Sequence, residues 1–187
     1  MIFMMIESEW GKLLDEYRSI EIRVGKLMTQ ICSPYCRVCP SPCCRLDICK
    51  EAVESPFLLA VHGAGISFDA KNGYLGCSGC RLTVGRPPIC HAFVCDRIMN
   101  DQKDDLHRYA IDCVGELMTY IGKRAWRGRQ LVEAMIKSDL AAIDLVMSRD
   151  RLQDARAALV ILEPYFTESK PWDEVQWRTL IKVRKQH

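Results

Sequence analysis

Leu106-His107-Arg108-Tyr109-Ala110-Ile111-Asp112-Cys113-Val114-Gly115-Glu116-Leu117-Met118-Thr119-Tyr120-Ile121 repeats its apolar residues at steps of three and four. Leu106, Tyr109, Ala110, Cys113, Val114, Leu117, Met118 and Ile121 therefore share one face of a helix, and such a face must be buried against other elements. Toward the C-terminus, further helical patterns run around 128–147, 150–163 and 172–185, with Pro164 and Pro171 as punctuation. Toward the N-terminus, Trp10, Leu13, Leu14, Tyr17, Val24, Leu27, Met28 and Ile31 predict an amphipathic helix over 7–31, which Pro34, Pro40 and Pro42 should end. The expected fold class is mainly α: a helical bundle, one domain over 1–187. Its flanking helices, 7–31 and 96–187, bracket an inserted module at 32–95.

That module is set apart by cysteine. Of the 11 cysteines, all but Cys113 fall between Cys32 and Cys95. Residues 32–49 read as a cysteine-rich loop. Asp47 is a candidate cap for a short helix from Ile48 to Glu54, and Ser55-Pro56 an N-cap and first helical residue for another through Val61, ending at Gly63 or Gly65. Ile66–Phe68 and Tyr74–Leu75 flank Asn72-Gly73, a favoured hairpin turn, and Arg81–Val84 reads as a short strand.

Composition narrows the class. The chain has 187 residues, 49% hydrophobic and 27% charged, which is ordinary for a globular protein and excludes global disorder. A formal charge of +2 gives no argument by itself for nucleic acid or an anionic membrane. Met1–Ile6 is apolar with no basic residue before it, and Glu7 and Glu9 cut it short, so no secretory leader is expected. No window approaches the ~18 apolar residues of a membrane span. Clustered thiols in such a chain point to a reducing, cytoplasmic setting with thiolates held by metal.

Zinc takes four thiolate or imidazole ligands in a tetrahedron, and two cysteines separated by two residues on a turn supply two of them. Cys77 and Cys80 have that spacing, with Gly76 and Gly79 to tighten the knuckle, and Cys90 and Cys95 follow. Cys36 and Cys39 form a second pair, followed by Cys43, Cys44 and Cys49, with Cys32 just before. Ten thiols suffice for two four-thiolate zinc sites, and ligands can interleave between the halves. Iron or an iron–sulfur cluster is the alternative, because four thiolates suit either. Cys113, on an apolar helix face, reads as core.

The stretch Gly76-Cys77-Ser-Gly-Cys80-Arg-Leu-Thr-Val-Gly-Arg86-Pro87-Pro88-Ile89-Cys90-His91-Ala-Phe93-Val-Cys95 resembles the closing signature of the YkgJ-like zinc- or iron-chelating cysteine-cluster family. The Cys36, Cys39, Cys43, Cys44 opening resembles that family's Cys-x2-Cys and following Cys-Cys pair. The resemblance spans about residues 32–95 and implies metal chelation without a defined reaction. Pro40-Ser41-Pro42 precedes the Cys-Cys pair where the family tends to be shorter. His91 stands where the family commonly has arginine, which makes it a candidate further ligand or a donor to a cluster sulfur.

The remaining signals are plainer. His62 reads as a capping or buried hydrogen-bonded histidine and His107 as part of a solvated face. Lys123, Arg124, Arg127 and Arg129 around Trp126 suit a helix C-terminus better than a nucleic-acid surface. Arg178, Lys182, Arg184 and Lys185 read as the exposed face of the last helix. No catalytic constellation is visible. The expected function is a metal-binding protein with structural zinc and a partner protein. An iron–sulfur redox or sensory protein is the first alternative, and an accessory part of a protein-modifying enzyme the second.

Overall fold

The structure, a computed structural model, describes residues 2–40, 44–63, 65–76, 79–134 and 136–184. The architecture is mainly helical. Its frame is α1 (Ile2–Cys36), α6 (Asp105–Gly122), α7 (Leu145–Glu168) and α8 (Glu174–Arg184). Helix α1 packs on α6 and α7, and α8 closes over the same two. The shorter α2 (Leu46–Glu54), α3 (Pro56–His62), α4 (Ile89–Ala92) and α5 (Asp96–Asn100) lie between α1 and α6 in the chain. The only sheet among the described residues is the antiparallel pair β1 (Leu75–Gly76) and β2 (Gly79–Cys80).

The predicted stripes form the seam of the bundle. Leu13, Tyr17, Ile20, Val24 and Leu27 of α1 are buried against Val114, Leu117, Met118 and Ile121 of α6 and Leu152, Leu159 and Leu162 of α7 in one core. Asp104 caps α6 by accepting from the His107 amide at 2.7 Å, and Asp144 caps α7 from Met147 at 2.8 Å. Arg23 clamps α1 to α7 with two bonds to Glu163, each 2.8 Å.

Several local expectations are corrected. Pro34 does not stop α1, which runs through it to Cys36. The carbonyl that loses its donor belongs to Gln30, an exposed residue. Pro164 likewise lies inside α7, and the carbonyl it frees is on Val160, which is 61% exposed. The expected helix over 128–147 is instead a tight turn and two short 3-10 segments, Leu131–Glu133 and Lys137–Ala142. Burial of Trp126, which bridges to Arg129 and Ile143, overrides helical propensity there.

The strand pairing also moves. Asp69 accepts from the amides of Lys71 and Asn72, closing Asn72-Gly73 into a local loop, and the ladder forms one step later with Leu75 opposite Cys80. Ile66–Phe68 and Arg81–Val84 are not strands. Within residues 32–95, Phe57, Leu58, Val61, Tyr74 and Leu82 are buried in the same core as the bundle. Phe57 meets the Tyr17 ring edge-on at 4.9 Å, so α3 is part of the bundle's packing.

Candidate functional site

The cysteines fall into two settings. Cys32 and Cys36 are one turn apart at the end of α1, so they belong to a helix and not to a loop. Cys36, Cys39 and Cys44 are exposed, and Cys32 is half-buried. Cys49 follows within α2, half-buried, and packs on the backbone of Gly73: a Cβ there would come within 2.8 Å of the Cys49 Cβ and 3.0 Å of its Sγ. Gly73 has φ +60°, a second reason for glycine at that turn. Cys80 ends β2, Cys90 sits in α4 and Cys95 precedes α5. Cys43 and Cys77, both expected ligands, lie outside the described residues.

Several of the thiols act on one another through charge. The Cys90 thiol is pushed up to about 12, first by loss of hydration and then by the negative ends of Cys49, Cys80 and Cys44, with Arg86 pulling the other way. Part of the Cys90 residue reaches solvent, yet enough protein rings the sulfur to make desolvation the leading cause. Tyr74 is raised by burial, and Cys49 and Cys80 act on it as well. Charge on Cys44 and Cys49 from the first half of the cysteine segment thus acts on Cys90 in the second, and the packing of Cys49 on Gly73 links α2 to the turn before β1. Among the described residues, no group of three or more His, Cys, Asp or Glu side chains is drawn together tightly enough to hold a metal ion. Cys95 is not among the groups acting on Cys90.

One buried carboxylate fixes the segment that delivers Cys90. Glu21 lies on the inward face of α1, one turn beyond Tyr17, and is fully buried. Its Oε2 accepts from the Gly85 amide at 2.7 Å, and its Oε1 from the Arg86 amide at 2.8 Å. His91 directs Nε2 to the same Oε1 at 3.2 Å and is itself buried. A buried carboxylate is tolerable only when its oxygens are satisfied, and here three donors surround it. His91 therefore faces the bundle, not the thiols, which corrects the expectation of a further ligand or sulfur donor.

Two glycines let this segment seat. At Gly85, with φ +74°, a Cβ would stand 2.6 Å from the His62 Cβ. At Gly115 in α6, a Cβ would stand 3.0 Å from the His91 carbonyl oxygen, so glycine there lets α4 lie against the helix. Arg86 closes the turn by donating Nε to the Leu82 carbonyl at 2.7 Å. None of these features was found by motif reading. Glu21 did carry a signal, as a lone acid among Tyr17, Ile20 and Val24 on an apolar stripe.

The other singled-out residues are placed as follows. His62, half-buried, bonds the Ala52 carbonyl through Nε2 at 2.9 Å and joins α3 to α2, as a hydrogen-bonded histidine should. His107 is not on a solvated face: it packs on Tyr165 and Phe166, and burial lowers its pKa. Trp126 is buried, with Arg129 over its ring at 5.9 Å, so it offers no face for a base to stack on. Cys113 is fully buried and its thiol is pushed up to about 12 by desolvation, consistent with core. Lys182 and Arg184 reach back from α8 to Asp154 and Asp112 at 2.7 and 3.0 Å, tying the last helix to the bundle.

No family model, no curated protein and no solved structure matches this chain. No helix among the described residues is long and apolar enough to cross a membrane.

Proposed function

We propose that this chain is a thiolate metal-binding protein in which Cys44 and Cys49 join Cys80 and Cys90 around one zinc ion, with the remaining clustered cysteines available for a second. The observation that carries the reading is the packing of Cys49 of α2 on Gly73, just before the β1–β2 pair that carries Cys80, with Cys44 and Cys90 coupled to these thiols through charge. The donor set suits zinc, which takes four thiolates in a tetrahedron. The ligands must close inward on the ion, and the exposed position of Cys44 leaves its segment room to do so. The resemblance of residues 76–95 to a metal-chelating cysteine-cluster signature supports the same chemistry.

The role of the bound metal is structural in this reading, and a partner protein is the target. Ile89 and Phe93, 46% and 55% exposed, flank Cys90 and give the site an apolar rim that a protein partner can cover. The chain purified without air tests the metal. A colourless protein with zinc bound, whose content falls when Cys49, Cys80 or Cys90 is changed to serine, upholds the proposal. A brown protein with broad visible absorption assigns the thiols to an iron–sulfur centre instead, and a metal-free protein with reduced thiols removes the reading.

A further inference from the structure

We infer that Glu21 is a positioning residue for Cys90: it sets the second half of the thiol cluster in place before any metal arrives. The inference rests on the metal-binding reading for its purpose, but its geometry stands alone. Cys90 is delivered by the run Gly85-Arg86-Pro87-Pro88-Ile89, and the two amides that open this run both donate to Glu21, at 2.7 and 2.8 Å. The residue that closes it, His91, returns to the same carboxylate at 3.2 Å. One side chain on the frame helix α1 therefore grips the segment on both sides of Cys90.

The run between those grips has little freedom. Pro87 and Pro88 fix two φ angles, and the Arg86 side chain is anchored on the Leu82 carbonyl. Gly85 is pressed on His62 and the His91 backbone on Gly115 of α6. No other carboxylate reaches these two amides among the described residues. A group that orients a ligand without touching the metal commonly changes metal affinity about 10- to 100-fold when it is removed.

The test uses the full chain, reduced and metal-free, with Co²⁺ as the probe. Glu21→Gln keeps the shape of the side chain but turns one acceptor into an N–H group facing an N–H group. The expected result is about 10- to 100-fold weaker Co²⁺ binding, read from the sulfur-to-cobalt charge-transfer band, with the band shape kept because the donors are unchanged. Leu27→Ala, a core change in α1 away from the segment, should leave Co²⁺ affinity as it is. Amide exchange supplies the second arm. In the metal-free native chain the Gly85 and Arg86 amides should exchange slowly, and in Glu21→Gln they should lose protection while α6 keeps its own.

Unchanged cobalt affinity in Glu21→Gln overturns the inference, as does an equal loss in Leu27→Ala. Fast exchange of Gly85 and Arg86 in the native chain overturns it even if the variant does not fold. A native chain that gives no charge-transfer band sinks the metal-binding reading and, with it, the purpose assigned to Glu21. The exchange arm then still decides whether the carboxylate holds the segment.

Discussion

Cys90 and Cys39 differ less in their immediate chemistry than in what stands behind them. The segment that carries Cys90 is gripped by Glu21 of α1, backed by Gly115 of α6 and pressed by His62 of α3. Cys39 follows the end of α1, and α2 begins only at Leu46. The comparison teaches that a cysteine-rich stretch need not be ordered by metal alone. Half of this one borrows its order from the bundle, and the other half has a small share of core to draw on.

The sharpest way to break the comparison is to remove the core that the inner part shares with the bundle. Phe57 is fully buried and stands edge-on to Tyr17 of α1. Phe57→Ala should destabilise the whole chain by about 3–5 kcal/mol, as large-to-small core changes do. Val38, 68% exposed in the other half, should cost under ~0.5 kcal/mol on the same change. Urea unfolding of the two variants reads both values. Comparable small losses would mean that α3 is only loosely attached and that the two halves are alike.

The next effect in size comes from the backbone. Gly85→Ala forces a side chain into φ +74° and onto His62, and both strain and overpacking oppose it. A loss of about 2–4 kcal/mol is expected, with Cys90 released from its seat. Gly65→Ala, where a Cβ meets nothing within 4 Å and φ is not in the left-handed region, should change stability by less than ~0.5 kcal/mol. Thermal unfolding of the pair separates the anchored stretch from one with room to spare.

Metal removal should act locally. A strong chelator is expected to leave the far-ultraviolet circular dichroism of the helices in place. Amide exchange should rise over residues 36–40 and 44–46, while Leu58 and Val61, buried in the shared core, keep their protection. Loss of most helical signal would show that metal organises the bundle and would reverse the comparison.

How much of this was legible in the residues follows from where the deciding interactions lie. Helices α6 and α1 were readable because their partners sit at fixed steps along one chain segment, as Leu106 to Ile121 do. Pro34 and Pro164 misled because each is accommodated inside a helix at a point where the residue four before it, Gln30 or Val160, is exposed. The turn around Trp126 was unreadable for the opposite reason: its conformation is set by burial against Ile143, far along the chain. At the site, the thiols were visible as residue types. The carboxylate of Glu21 that holds the Cys90 segment depends on contacts 64 to 70 residues apart. A lone acid in an apolar stripe was the one local sign of that contact.

The smallest expected effect concerns the seam that holds Glu21 in register. Arg23, two residues after Glu21, binds Glu163 of α7 through two bonds of 2.8 Å, and the Arg23 hydrogen bond holds the Glu163 carboxyl below its usual range. A carboxyl depressed in the folded chain adds stability that is fully present above its unfolded value, about 4.3, and is lost as pH falls through the folded value. Both side chains are partly exposed, at 29% and 39%, so screening limits the contribution to about 0.5–1 kcal/mol. Glu163→Gln should therefore cost that much at pH 7 and almost nothing near pH 3, measured by urea unfolding at each pH. If the seam also sets the register of Glu21, the Gly85 and Arg86 amides of Glu163→Gln will exchange faster at pH 7. If they do not, the grip on Cys90 belongs to Glu21 and its core neighbours alone, and the two halves of the cysteine segment differ through that single carboxylate.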